Sequence, residues 1–297
     1  MATTHAALKD ATLHEVDARD GKPSATDLAR YREDGVIVMR HVFAPGACRG
    51  IVGDLERRTA LLERHHGLAR NSAEQDGIEA IGRRIAALDA SHPGAQSILY
   101  DAMSKAPSMH AMASSRALIG VAENFVPPPV AHHDRFILLM SLPGEAWHLA
   151  GWHQDWYYNE GPPGTMTLYA PLQRTTAENG LLRFALGEHR RGVLPHGDYP
   201  VGDGCEFATK WHTIDPAEIG RFRRIATTEL EVGDLLVFNS LVPHSAQINR
   251  SRAIRFVLNF RYHGLDDAAF TGDGWRIGDI GHARGALSRN RKEDSRR

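Results

Sequence analysis

Ala253-Ile254-Arg255-Phe256-Val257-Leu258-Asn259-Phe260-Arg261-Tyr262 is a run rich in branched and aromatic residues with three polar side chains spaced through it. Such composition predicts a strand, and strand alternation puts Arg255, Val257, Asn259 and Arg261 on one side. The run should be at least half buried. A guanidinium between Ile254 and Phe256 then needs a partner, because a buried cation left unpaired is costly.

Working outward, strand patterns also occupy residues 136–142, 165–170, 181–186, 226–231 and 235–239, separated by Gly- and Pro-containing turns. Many short strands of this kind imply two packed sheets. The fold class expected is mainly β with a helical annex (α+β), built on a double-stranded β-helix, or jelly roll, of the cupin-like kind. Upstream, Ser24-Ala25-Thr26-Asp27 reads as a capping box opening a short helix, and Val36-Ile37-Val38-Met39 as a strand. Pro45-Gly46 opens a helix whose Cys48, Ile51, Val52, Leu55, Thr59 and Leu62 share one face. Further helices are interrupted at Ser91-His92-Pro93-Gly94 and near Ala106-Pro107. We therefore expect a flexible leader over residues 1–23 and a single domain over 24–265. Within it, 24–130 is mostly helical annex and 131–265 the jelly-roll core; 266–297 is a C-terminal extension with a charged tail.

His153-Gln154-Asp155, with His244 in Val242-Pro243-His244-Ser245, is the candidate metal set. Spacing of i, i+2 predicts that His153 and Asp155 lie on one side of a strand. Two imidazoles and a carboxylate without thiolate argue against a closed structural zinc site and favour Fe(II) with open positions. With 17 histidines in the chain, a lone pair of this type would carry little weight. His132-His133-Asp134 has ligand-like composition, but adjacent strand residues face opposite ways.

The ordered set carries more. Tyr31-Arg32-Glu33-Asp34-Gly35, Trp152-His153-Gln154-Asp155, Glu178-Asn179-Gly180 running on to Gly187-Glu188-His189, His244, and Arg255 eleven residues beyond it recur in this order. From about residue 24 to 264 the chain resembles the phytanoyl-CoA dioxygenase family of Fe(II)/2-oxoglutarate oxygenases. The resemblance implies Fe(II), 2-oxoglutarate and O2 as cofactors, with His153, Asp155 and His244 as metal ligands. It implies Arg255 as the partner of the far carboxylate of 2-oxoglutarate, since a guanidinium fork matches a carboxylate bidentately. Tyr169 and Leu138 are expected beside the cosubstrate. Gly-Glu-His departs from the more usual Gly-Ser-His, and His189 is expected to be structural.

The activity implied is hydroxylation of an aliphatic C–H of a small molecule, with 2-oxoglutarate decarboxylated to succinate and CO2. Asp155 favours this over halogenation, for which relatives carry a small residue there. Desaturation, cyclisation or epimerisation by the same chemistry are alternatives, as is a cupin-like metal-binding protein that does not use 2-oxoglutarate. Trp156, Tyr158, Asn259 and Arg261 are candidate substrate contacts. Arg261 would suit a substrate carboxylate or phosphate, or else pair with Asp134 or another acid. A formal charge of −1 gives no footprint for nucleic acid or an anionic membrane. Only Cys48 and Cys205 are present and no N-terminal apolar segment is seen, so a cytoplasmic location is expected, with oligomeric state open.

Overall fold

The computed structural model describes residues 9–20, 22–68, 77–132, 136–145, 149–159, 162, 164–199 and 212–265. The strands are β1 (Lys9–Ala11), β2 (Glu15–Asp17), β3 (Val36–Arg40), β4 (Val130–His132), β5 (Ile137–Ser141), β6 (Met166–Pro171), β7 (Leu182–Ala185), β8 (His196–Gly197), β9 (Thr213–Ile214), β10 (Arg224–Ala226), β11 (Leu235–Asn239), β12 (His244–Ala246) and β13 (Arg255–Gly264). The helices are α1 (Ala25–Asp34), α2 (Arg49–His65), α3 (Ile78–Ser91), α4 (Ala95–Ser104), α5 (Pro107–Ala113), α6 (Arg116–Phe125), α7 (Asp155–Asn159) and α8 (Pro216–Ile219).

A large sheet runs β2-β3-β11-β6-β13-β4, with β5 also paired to β13, and a four-stranded sheet runs β1-β10-β7-β12. Together they make the jelly roll. β13 is its spine: on one edge it pairs with β6, and on the other with β5 and then β4. Alternation divides each strand of the large sheet between two cores. Val36, Val38, Tyr169, Leu236, Phe238 and Val257 meet Leu182, Phe184 and Leu186 of the small sheet. Ile37, Met39, Leu168, Val237, Phe256, Leu258 and Phe260 instead meet Ile51, Leu55, Ile81, Ile85 and Leu99 of the helices. Burial on both faces explains why these strands read as nearly continuous apolar runs.

Local signals act as expected at several joints. Asp27 N donates to Ser24 Oγ at 3.2 Å and Ser24 N to Asp27 Oδ2 at 2.8 Å, closing the capping box of α1. Between α2 and α3, Arg84 is buried and donates from Nε to Glu63 at 2.8 Å and from Nη1 to Glu56 at 2.6 Å.

Two expectations need correction. The leader is not structureless from residue 9 onward: β1 pairs parallel with β10 and β2 parallel with β3, and Leu13 between them is buried. Edge strands of three residues are held by backbone hydrogen bonds, so they show no apolar period to read. The strand expected over 226–231 is shorter and earlier, Arg224–Ala226, with Leu230 making only a single bridge to Thr175. Residues 1–8 and 266–297, including the expected charged tail, lie outside the described residues, as do His133, Asp134 and Cys205.

Gly180 has φ +88° in the turn before β7, and a Cβ there would meet Gln247 O, and Arg255 Nη1 at 3.1 Å. Gly180→Ala is expected to cost about 1–2 kcal/mol from the left-handed backbone alone. A thermal melt should show Tm lower by at least ~2 °C. An unchanged Tm would mean that the turn relaxes without strain.

Candidate metal centre

His153 and His244 are joined by an isolated antiparallel bridge, each N–H donating to the other's carbonyl at 2.9 Å. Asp155 is not on a strand, as the i, i+2 spacing led us to expect, but is the first residue of α7. The chain turns at Gln154, whose fully buried amide donates to Gly192 O (2.9 Å) and Leu241 O (2.7 Å) and accepts from Leu194 N (2.8 Å). With Gln154 so held, the bridge and the helical turn bring His153 and Asp155 together. One ligand atom from each of His153, Asp155 and His244 lies within 4.8 Å of the others, and all three residues are buried.

Both imidazoles have a fixed tautomer. His153 Nδ1 lies 2.8 Å from Gly151 O and His244 Nδ1 lies 3.0 Å from Val242 O. A carbonyl only accepts, so each Nδ1 carries the proton and each Nε2 keeps its lone pair. Burial pushes both imidazoles toward the neutral form, His244 down to about 3. Asp155 Oδ2 accepts from Thr167 Oγ1 at 2.7 Å, and both carboxylate oxygens accept from Arg261 Nη2 at 3.1 Å. Burial alone would raise the Asp155 carboxyl, but the Arg261 cation beside it holds it well below the usual carboxylate range. The donor set is therefore ready for a metal ion: two free imidazole nitrogens and an ionised carboxylate.

The triad sits in a cavity of about 410 Å³ between the sheets, lined also by Arg255, Tyr169, Asn259 and Tyr158. Arg255 is 2% exposed. Its Nη2 donates to Ser141 Oγ at 2.9 Å and its Nη1 to Gly180 O, while Nε is buried without a partner. No carboxylate among the described residues pairs with it. Asn259 Oδ1 is likewise buried without a partner.

Two sequence expectations fail here. Leu138 is not in the cavity. Alternation on β5 turns it into the core against the helices and puts Ile137, Leu139 and Ser141 in the cavity wall. Trp156 does not line the cavity either: on α7, successive residues fan around the axis, so Tyr158 and Asn159 return to the face of Asp155. Arg261 lines the cavity and pairs with an acid, Asp155, as the alternative to a substrate anion had it; Asp134 lies outside the described residues. His189 lies 3.2 Å from Arg32 O, consistent with a structural place.

Two contributions went unread. Thr167 was visible only as a hydroxyl in an apolar strand, two residues from Tyr169. From α4, Gln96, Ser97, Tyr100 and Asp101 form one wall of the cavity. Their only trace is a polar stripe beside the apolar Ala95, Leu99 and Met103.

The model of the phytanoyl-CoA dioxygenase (PhyH) family matches residues 31–257. The chain belongs to this family. Its triad is able to hold a metal. The match includes the triad and Arg255 and ends before Asn259 and Arg261. The 1-deoxypentalenic acid 11-beta-hydroxylase of Streptomyces arenae is 29% identical over 99 residues, 33% of this chain and about a third (34%) of that protein. The crystal structure of EctD from S. alaskensis with 2-oxoglutarate and 5-hydroxyectoine aligns at TM-score 0.55 and 16% identity, over 88% of this chain and 83% of that one. The non-heme alpha ketoglutarate dependent epimerase SnoN from nogalamycin biosynthesis aligns at TM-score 0.50 and 17% identity, over 80% and 81%. At such identities these two show a shared fold. No helix among the described residues is long and apolar enough to cross a membrane.

The neutral imidazoles have a consequence for acid stability. An unfolded histidine takes its proton near 6.5, whereas folded His244 does so only near 3, so between these values the unfolded chain binds more protons. Stability of the metal-free protein should fall as pH drops below 6.5. Melting curves at neutral and mildly acid pH check this; a flat Tm would contradict buried neutral imidazoles.

Proposed function

We propose that this chain is an Fe(II)- and 2-oxoglutarate-dependent dioxygenase that hydroxylates an aliphatic C–H of a small molecule. One observation carries the reading. The same cavity holds a buried His153–Asp155–His244 donor set and a buried Arg255 guanidinium without a carboxylate partner among the described residues. The first fits a divalent ion with open positions. The second fits the far carboxylate of a dicarboxylate.

His153, Asp155 and His244 would hold Fe(II), which with 2-oxoglutarate and O2 would supply an oxidant for an unactivated C–H at the expense of 2-oxoglutarate's decarboxylation to succinate and CO2. The side chains bind, orient and exclude water. His153 and His244 offer Nε2, and Asp155 one carboxylate oxygen. Arg255, steadied by Ser141 and Gly180, takes the far carboxylate of 2-oxoglutarate with Tyr169 beside it. Asp155 fills the place a halide would need, which supports hydroxylation. Tyr158 and Asn259 are the substrate contacts we retain, with Asn259 Oδ1 open to a donor. Ile137, Leu139 and Leu149 give the cavity an apolar wall suited to a hydrocarbon skeleton. The partial match to a hydroxylase of a small carboxylic acid is in line with this.

His153→Ala, Asp155→Ala and His244→Ala should each abolish Fe(II)-dependent succinate release while the chain still melts cooperatively. Wild-type turnover in any of them would remove that residue from the metal set.

Arg255→Ala should raise the 2-oxoglutarate requirement roughly 10- to 100-fold, the worth of hydrogen bonds to a charged group. Anaerobic titration of Fe(II) and 2-oxoglutarate should give a saturable visible charge-transfer band that weakens in the variant. Iron binding without such a band would favour a cupin-like protein that does not use 2-oxoglutarate.

A further inference from the structure

Arg261 is an unusual neighbour for a metal ligand. Residues behind a ligand commonly raise its basicity, as a carboxylate does behind a histidine. A guanidinium does the reverse. Arg261 is buried, and its Nε lies 3.3 Å from Asp155 Oδ2 while Nη2 lies 3.1 Å from both oxygens. Oδ2 also receives Thr167 at 2.7 Å, so three donors converge on it. Among the described residues Oδ1 receives only Nη2, and it lies 3.9 Å from His153 Nε2. Oδ1 is thus the oxygen turned toward His153.

Charge follows from the same contacts. A guanidinium is a cation, a metal-binding carboxylate an anion, and an imidazole that offers its Nε2 lone pair is neutral. The donor set with Arg261 therefore carries no net charge before an ion binds, and the whole double charge of a divalent ion remains for the next ligand. Without Arg261 the ion would meet an anionic site and retain less charge for a dianion.

We propose that Arg261 is a positioning residue that makes Asp155 a one-oxygen, charge-compensated ligand, lowering affinity for the ion and raising affinity for the dianionic cosubstrate. This rests on the reading of the triad as a metal site that takes 2-oxoglutarate. It gives Arg261 a role toward the metal centre, where the sequence left a substrate anion and an acid partner both open.

Mn(II), which is stable in air, is the probe. Its binding to the full-length protein is measured by calorimetry, followed by titration of 2-oxoglutarate into the Mn(II)-loaded form. Arg261→Gln keeps an amide donor and removes the charge; it should bind Mn(II) about tenfold tighter and 2-oxoglutarate about tenfold weaker. Arg261→Lys keeps the charge and loses the fork; both affinities should stay within about threefold of wild type. A purely orienting role would weaken both ligands in both variants, and that result, or no change in Arg261→Gln, overturns the proposal. If Arg261→Gln does not fold, Arg261→Lys decides alone, since joint tenfold losses there reject the charge argument. Wild-type protein that binds no Mn(II), or binds it without 2-oxoglutarate, brings down the underlying reading and this inference with it. A shift in one direction on a competent wild type brings down only the inference.

Discussion

Two backbone hydrogen bonds of 2.9 Å between His153 and His244 make the site possible. His244 begins β12 in the small sheet, beside Phe184 of β7, while Asp155 is tied through Thr167 and Arg261 to β6 and β13 of the large sheet. The three candidate ligands therefore span both sheets, and the cavity lies where the sheets face each other. Gln154 completes the arrangement from behind by filling three backbone hydrogen-bonding positions. Buried backbone groups have to be paired, so this turn cannot drift without leaving several unsatisfied.

β13 imposes the second constraint. One face carries Phe256, Leu258, Phe260 and Tyr262 into the core against the helices, and the other carries Arg255, Val257, Asn259 and Arg261 toward the cavity or the small sheet. A slip of one residue would drive two guanidinium groups into an apolar core. The hydrophobic pattern that stabilises the fold thus also fixes where the charges of the site stand. The pair Arg261 and Asp155 shares this dependence, because losing either member leaves an uncompensated buried charge, at a cost of about 3–5 kcal/mol in comparable pairs.

What could be read from the chain follows the same division. The central strands, their alternation, the capping box at Ser24 and the breaks between helices depend on local pattern, and they stand in the structure close to where the sequence places them. The edge strands β1 and β2 were missed because backbone pairing holds them. The convergence of His153 with Asp155 was anticipated, but through a strand; the bridge and helical turn that achieve it depend on Gln154 meeting loops about 40 and 90 residues away, as its contacts to Gly192 and Leu241 show. Leu138 was misplaced by one position of a period-2 pattern. Arg261 was legible as an inward cation, yet its partner was not, since nothing local links residue 261 to residue 155.

The wall from α4 shows why chemistry and substrate choice can vary separately in such a fold. Tyr100 and Leu149 line the cavity, whereas the ligand geometry rests on a backbone bridge, a buried amide and sheet register. A substitution at the wall changes the space and polarity that a substrate meets without touching any hydrogen bond that orients His153, Asp155 or His244. The reverse does not hold. A substitution in β13 or at Gln154 disturbs the ligands and the core together. Drift is therefore cheap on the helix side and costly on the strand side, and a binding cavity can be refitted while the charge and tautomer of the metal centre stay as they are.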